Sequence, residues 1–417
     1  MLTEPTAWLA CASCAATFAA TDPRVRCDCG GLLGVARPSD WHLGLGPALF
    51  DARLQSRAAA DRSGVWRFRE GVLDLPVADL VTRPEGCTPL YRHPRLSAYA
   101  GLDDVSFKHE GENPTGSFKD RGMTVAISQA RRLGARAVAC ASTGNTSAAL
   151  AAYAAQAQLK AVVFLPEGKI SSGKLAQTRA YGATCLQIRG DFDAAMALVI
   201  EVCDRLGIYL VNSINPFRLE GQKTIVWDLL QDRGWTPPDW IALPAGNLGN
   251  TSAFGKALAE AKAAGWISHV PRLAAVQAAG ANPFYLSFQG GFVQRHSVTA
   301  QTVASAIRIG NPVSYERARA AIAETNGVVC QVSDAELLAA KREIDAAGVG
   351  CEPASACALA GVRQLRAAGT IGAHESVVCV LTGHLLKDPD AGGALGEALA
   401  TPIDATLAAA EHALRHL

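Results

Sequence analysis

The sequence predicts an α/β protein of two domains, each a twisted, mostly parallel sheet flanked by helices, with a small Cys-rich N-terminal segment in front. Three observations carry that expectation. At 417 residues the chain exceeds what one hydrophobic core usually serves, so two cores and an appendage are expected. Short apolar runs alternate with amphipathic Ala-rich segments, the order of strand and helix in α/β folds. The runs are apolar throughout rather than at every second residue, as strands buried on both faces of a parallel sheet read.

Residues 1–36 are rich in Cys and turn formers and stand apart. A Trp-containing polar stretch then leads to EGCTPLYRHPRL (Glu85 to Leu96). RAVACAST (Arg136 to Thr143), KAVVFLP (Lys160 to Pro166), ATCLQIRG (Ala183 to Gly190) and IYLVNS (Ile208 to Ser213) read as strands. So do DWIALPAG (Asp239 to Gly246), RLAAVQAAG (Arg272 to Gly280) and SVVCVLTG (Ser376 to Gly383). Helices are expected over Asp120 to Gly134, Thr146 to Gln158 and Asp191 to Gly207. No internal repeat or long low-complexity linker interrupts the pattern.

With 39 Lys+Arg against 38 Asp+Glu the formal charge is +1, which gives no whole-molecule attraction to nucleic acid or an acidic membrane. The opening MLTEPTAWLACASC has no Lys or Arg, so it lacks the basic region of a secretory signal, and a cytoplasmic protein is expected. The Ala-rich segments are interrupted by polar residues before reaching the roughly 18 apolar positions of a membrane span. The twelve Cys are scattered through a large chain, so most are expected to be buried thiols rather than disulfides.

In open parallel sheets, ligands sit beyond the carboxyl ends of the strands, and four loops stand out there. In HEGENPTGSFKDRG, Pro114 and Gly116 force a turn, Ser117 can cap the next helix, and Lys119 falls in its first turn. An amine near backbone N–H groups and the positive end of a helix dipole is pushed toward its neutral form, which imine chemistry requires. Spacing alone favours the plainer reading, a surface lysine at a helix start. In ASTGNTSA, the polar run Ser142, Thr143, Gly144, Asn145, Thr146 opens a helix and suits a carboxylate, although an ordinary cap needs only one such residue. In PAGNLGNTSA, Gly246, Asn247, Leu248, Gly249 and Asn250 make a glycine-punctuated turn able to grip a phosphate with backbone amides. It is neither a dinucleotide fingerprint nor a Walker loop, and a plain strand-to-helix turn reads similarly. Finally, VVCVLTGHLLKDP places Thr382 at a strand end, where a hydroxyl can meet a ring nitrogen or merely cap the strand.

Taken in this order, NPTGSFKDRG, STGNTSA, NSINPFRLEGQKT, GNLGN and LTGHLLKDP resemble the threonine synthases, pyridoxal-phosphate (PLP) enzymes of fold type II in the tryptophan-synthase β superfamily. The resemblance spans about Glu85 to Asp390 and takes in the Cys segment. It implies a large domain of residues 37–110 and 206–417, a small domain of 111–205, and a homodimer. It also implies that Lys119 holds PLP as an imine, Asn145 meets the phenolic oxygen, Gly246 to Asn250 hold the cofactor phosphate, and Thr382 bonds the pyridine nitrogen. On the substrate side it assigns Ser142, Thr143 and Thr146 to the α-carboxylate, and Ser213, Asn247 and Arg218 to the substrate phosphate. The fork of an arginine pairs well with phosphate oxygens. The implied reaction converts O-phospho-L-homoserine and water to L-threonine and phosphate, by γ-elimination and then β-addition of water.

Alternatives remain at this stage. Asn212 to Thr224 also reads as a strand ending in a loop, with Arg218 paired to Glu220. CEPASACALAG (Cys351 to Gly361) also matches the family, but Glu352 there reads as no more than a residue that starts a helix. Glu112 departs from the apolar residue expected there; a solvent-facing side chain accounts for it, and an acid that tunes the pocket of the nearby Lys119 is the other reading. Another fold type II reaction, a cysteate-synthase-like replacement or a hydroxy-amino-acid dehydration, fits the cofactor loops as well, and a non-catalytic scaffold would share the fold.

Cys11-x-x-Cys14 followed by Cys27-x-Cys29 looks like a zinc ribbon, because paired thiolates on tight turns can close a tetrahedral site. The second pair has one spacer instead of two. Four free thiols in a small packed appendage is the other reading, and any metal with four protein ligands would be structural.

Overall fold

Continuous apolar runs become the central strands of two parallel sheets. The computed structural model describes residues 6–142, 144–166, 172–189, 192–388 and 402–415. At the N-terminus, β1 (Trp8–Cys11), β2 (Thr17–Ala19) and β3 (Leu33–Ala36) form an antiparallel sheet in the order β2-β1-β3. The largest sheet has six strands: β4 (Leu90–Tyr91), β5 (Val105–His109), β10 (Trp240–Pro244), β11 (Arg272–Ala278), β12 (Val328–Val332) and β13 (Val377–Leu381). Their order is β12-β11-β10-β13-β5-β4, parallel except for the edge pair β4-β5. A second parallel sheet orders β6 (Ala137–Ala141), β7 (Lys160–Pro166), β8 (Thr184–Ile188) and β9 (Tyr209–Leu210) as β8-β7-β6-β9. Strand β9 belongs to this sheet although it lies beyond residue 205.

Every residue of β10 and β13 is buried, and successive side chains serve opposite faces. Ile241 and Leu243 join a core with Phe217, Trp227 and Phe254, while Trp240 and Ala242 join Phe107, Val276 and Leu359 on the other face. In β6, Val138 and Cys140 pack with Leu150 and Tyr153, and Ala139 and Ala141 pack with Phe164 and Val199. Leu9, Leu33 and Val35 of the Cys segment share the first of these cores, so the appendage is packed on the body rather than tethered to it.

Strands and helices fall within about two residues of expectation, with helices at Lys119–Arg132, Asn145–Gln156 and Phe192–Leu206. Besides β1, β2 and β3 of the Cys segment, three strands of the large sheet were not anticipated, β4, β5 and β12; β5 hides Lys108 and His109 inside a run with no exposed residue. Lys108 is tolerated there because its Nζ donates to Thr88 O and to Asp232 Oδ2, both at 2.6 Å. The strand-into-loop reading of Asn212 to Thr224 is corrected: the segment contains a helix, Pro216–Gln222. Pro216 fits its first turn, where no amide hydrogen is needed, and Asn215 Oδ1 caps it by accepting from Phe217 N at 3.0 Å. Among the described residues no helix is long and apolar enough to cross a membrane.

Candidate active site

Lys119 is placed by two loops that hold each other. Gly116, at φ 82°, turns the chain after β5 so that Ser117 bridges to Gly383 at the end of β13. Phe118 N donates to Thr382 O and His384 N donates to Gly116 O, each at 3.0 Å. Lys119 therefore begins its helix directly beside Thr382, and its amide donates to Ser117 Oγ at 3.4 Å. The amine lies 4.3 Å from the centre of the Phe118 ring. Burial lowers its pKa to about 7, the Arg218 guanidinium adds to the effect, and Glu352 opposes it. Desolvation and a like charge both disfavour an ammonium, so the amine is substantially neutral near pH 7.

Arg218 is 1% exposed. Its Nη1 donates to Val211 O at 3.3 Å, while Nε and Nη2 have no partner. The expected alternative, pairing with Glu220, is not formed. Glu220 instead takes Arg37 and Lys223, each at 2.7 Å, and Lys256. Burial lowers the Arg218 pKa to about 10. A buried guanidinium with two idle nitrogens calls for an anion, since such donors are otherwise costly.

The loop after β10 turns through Leu248 in the left-handed region, φ 64°, into helix Gly249–Ala263. First-turn amides of a helix have no intrahelical acceptor, so this loop presents N–H groups and the positive helix end to an anion. Asn250 Oδ1 is held by Gln222 Nε2 at 2.6 Å. Asn247 Nδ2 donates to Ser213 Oγ at 2.8 Å, and its Oδ1 accepts from Val313 N at 2.7 Å. Ser213 and Asn247 thus meet, Ser213 five residues before Arg218 and Asn247 three residues beyond the end of β10 in sequence.

After β6, Ser142 Oγ accepts from Gly144 N at 3.2 Å, and Asn145 starts its helix. Ser142, Asn145 and Thr146 are half-buried; Thr143 lies outside the described residues. Asn145 Nδ2 donates to Glu352 Oε2 at 3.0 Å. Thr382 Oγ1 donates to Glu352 Oε1 at 3.2 Å and lies 3.1 Å from Ser355 Oγ. Hence one carboxyl joins the two residues expected at the ring oxygen and ring nitrogen.

Glu352 corrects its sequence reading. It precedes helix Pro353–Ala367 but makes no side-chain cap bond; its carboxyl turns into the site, 3% exposed, where burial raises its pKa. Sequence reasoning also missed Ser355, although CEPASAC carried both residues. Glu112, by contrast, is exposed and accepts from Tyr91 Oη at 2.5 Å.

The Sγ atoms of Cys11, Cys14, Cys27 and Cys29 all lie within 4.8 Å of one another. Cys11 and Cys29 are 3.5 Å apart and Cys14 and Cys27 3.6 Å apart. Gly30, at φ 82°, lets the one-spacer pair turn back on the other. A Cβ on Gly31 would come within 2.7 Å of Cys11 Sγ.

The pyridoxal-phosphate dependent enzyme family matches residues 81–383. A threonine synthase of Methanocaldococcus jannaschii is 42% identical over 91% of this chain and 93% of its own length. One from Methanosarcina acetivorans is 46% identical over 78% of this chain and 80% of its own. Among solved structures, threonine synthase from Escherichia coli superposes with a TM-score of 0.70 at 20% identity, covering 95% of this chain and 92% of that one. The processed form of threonine deaminase isoform 2 from Solanum lycopersicum reaches 0.64 at 22% identity, over 77% and 89%. At those identities the two structures speak for the fold alone.

Proposed function

This chain belongs to the threonine synthases of the pyridoxal-phosphate-dependent enzyme family, and on that premise we propose that Lys119 carries the cofactor while Arg218 selects the substrate. On this reading the reaction converts O-phospho-L-homoserine and water to L-threonine and phosphate. The residues fit the cofactor: a lysine amine near neutrality, a helix start able to take a phosphate, and a buried hydroxyl next to the lysine loop. Gly246 to Asn250 would hold its phosphate, Asn145 its phenolic oxygen and Thr382 its ring nitrogen. Bound there, PLP supplies an electron sink for charge developing on the substrate carbons.

With its amine free, Lys119 would take the Cα proton of the substrate, a role suited to a pKa close to ambient pH. Ser142 and Thr146, at the start of the Asn145 helix, hold the α-carboxylate; the resemblance assigns Thr143, outside the described residues, to the same group. Arg218, with Ser213 and Asn247, holds the phosphate ester and neutralises the charge that grows as phosphate leaves.

The observation that carries the substrate reading is the pair of idle nitrogens on buried Arg218. A dehydratase acting on an unphosphorylated hydroxy amino acid has no use for them. The test sets phosphate release from O-phospho-L-homoserine against ammonia release from L-threonine and L-serine. Faster turnover of the unphosphorylated amino acids would replace this reading with the dehydratase one.

We further propose one structural zinc on Cys11, Cys14, Cys27 and Cys29, supported by four mutually close thiols on tight turns. The division into residues 1–36, a small domain of 111–205 and a large domain from the remainder rests on the resemblance, as does the homodimer, which sedimentation would test. A cytoplasmic setting suits a chain of twelve unpaired cysteines.

A further inference from the structure

Glu352 is a buried carboxyl whose two oxygens are spent on two residues from different sheets. Oε2 accepts from Asn145 Nδ2 at 3.0 Å, and Asn145 opens the helix that follows β6. Oε1 accepts from Thr382 Oγ1 at 3.2 Å, and Thr382 follows β13. The backbone around it is fixed: Glu352 N donates to Gly383 O at 2.9 Å, and Ser355 Oγ accepts from Gly383 N at 3.0 Å. Gly383 leaves the room, since a Cβ there would lie 2.3 Å from Glu352 Cδ. Lys119 and Lys387 are the charged groups facing this carboxyl.

Burying an acid on an amide and a hydroxyl is a costly way to start a helix. An Asn or Ser at this position would cap the helix, which the Glu352 side chain does not do. What the carboxyl does accomplish is orientation. One N–H of the Asn145 amide is committed to Oε2, so the amide plane is set and the second N–H has one direction. The Thr382 side chain, between Glu352 Oε1 and Ser355 Oγ at 3.1 Å, is held in one rotamer; because Oγ1 can accept from Ser355 Oγ, its single proton can turn from Glu352 to the ring nitrogen while the oxygen stays anchored.

We propose that Glu352 is a positioning residue for the cofactor, presetting Asn145 and Thr382 before the pyridoxal ring arrives. Groups already held in their bound geometry lose less entropy on binding, so affinity rises without a new contact. This rests on the reading of Asn145 and Thr382 as ring contacts, and the test separates the two.

The measurement is the PLP dissociation constant of the apo protein, titrated with PLP and followed by visible absorbance. Asn145→Ala and Thr382→Ala should each weaken binding; unchanged affinity in both would overturn the ring-contact reading itself. Given weakening there, Glu352→Ala should bind PLP roughly tenfold more weakly, the size expected for one or two hydrogen-bond equivalents. Glu352→Ala with Asn145→Ala should lose less than the product of the single effects. Glu352→Gln, which can accept from Asn145 and donate to Thr382, should stay within about threefold of wild type. Glu352→Asp retains the charge but withdraws the carboxyl by one methylene, and should weaken binding even if the Ala variant fails to fold. Wild-type affinity in the Ala or Asp variant, strict additivity in the double variant, or a tenfold loss in Gln would each overturn the proposal.

Discussion

Arg121 and Gly221 meet backbone to backbone: a Cβ on Gly221 would lie 1.8 Å from the Arg121 carbonyl oxygen. Gly122 faces the same seam, where a Cβ would sit 2.9 Å from Arg218 O. Through this contact the helix that begins at Lys119 and the helix that carries Arg218 are locked together, so the cofactor lysine and the substrate arginine share one rigid support.

Gly221→Ala should therefore force the helices apart. Overpacking of this kind costs about 1–3 kcal/mol, measurable by urea unfolding. Because Arg218 moves with its helix, KM for O-phospho-L-homoserine should rise more than kcat falls. A variant with wild-type stability and KM would show the seam to be loose.

The lowered pKa of Lys119 makes a pH prediction. An ordinary lysine titrates near 10.4; this one sits at about 7. Reductive trapping of PLP on the apo protein should accelerate as pH rises through about 7 and flatten above 8. The sign for stability follows by linkage. Between 7 and the unfolded pKa the unfolded chain binds more protons than the folded one, so this group's contribution favours folding increasingly as pH rises across that window. Below 7 its full penalty is present. Trapping that keeps climbing to pH 10 would contradict the assignment.

Next to the site lies a buried ion network. Arg121 Nε and Nη2 donate to the two Glu110 oxygens, each at 2.7 Å, and Nη2 also reaches Asp228 Oδ2 at 2.6 Å. Arg67 Nη2 holds the other Asp228 oxygen at 2.9 Å. Removing one partner strands the others, so Arg121→Ala should cost about 3–5 kcal/mol. Thermal and urea unfolding would measure it; a loss below 1 kcal/mol would mean that water or neighbouring groups compensate.

Purified protein should contain one zinc per chain by elemental analysis. Cys27→Ser should lower zinc content and loosen the packing of Leu9, Leu33 and Val35 against the body, seen as protease sensitivity near residue 36. Full stability with no metal would favour the free-thiol reading.

Much of this was legible in the sequence, for physical reasons. A strand buried on both faces, such as VVCVL in β13, leaves a continuous apolar run. A loop that binds an anion needs glycine and small polar residues, as in Gly246 to Asn250. Other features were hidden by distance along the chain. Nothing near Lys108 in sequence shows that it is buried, because its partner Asp232 lies 124 positions later. Glu352 reads as a helix start until Asn145, 207 positions away, meets its carboxyl. The idle state of Arg218 was likewise unreadable, because Glu220 two residues on is a plausible mate and only the fold turns it toward Arg37.

The most direct measurement is simultaneous release of phosphate and threonine from O-phospho-L-homoserine by PLP-loaded wild type and Arg218→Ala. Wild type should release the two in equal amounts. The variant should retain the visible cofactor band and wild-type PLP affinity while kcat/KM falls by roughly 100-fold or more, as expected when a buried charge-assisted pair is lost. A wild type that releases no phosphate, or a variant that releases it unimpaired, would contradict the assignment of Arg218 to the substrate phosphate.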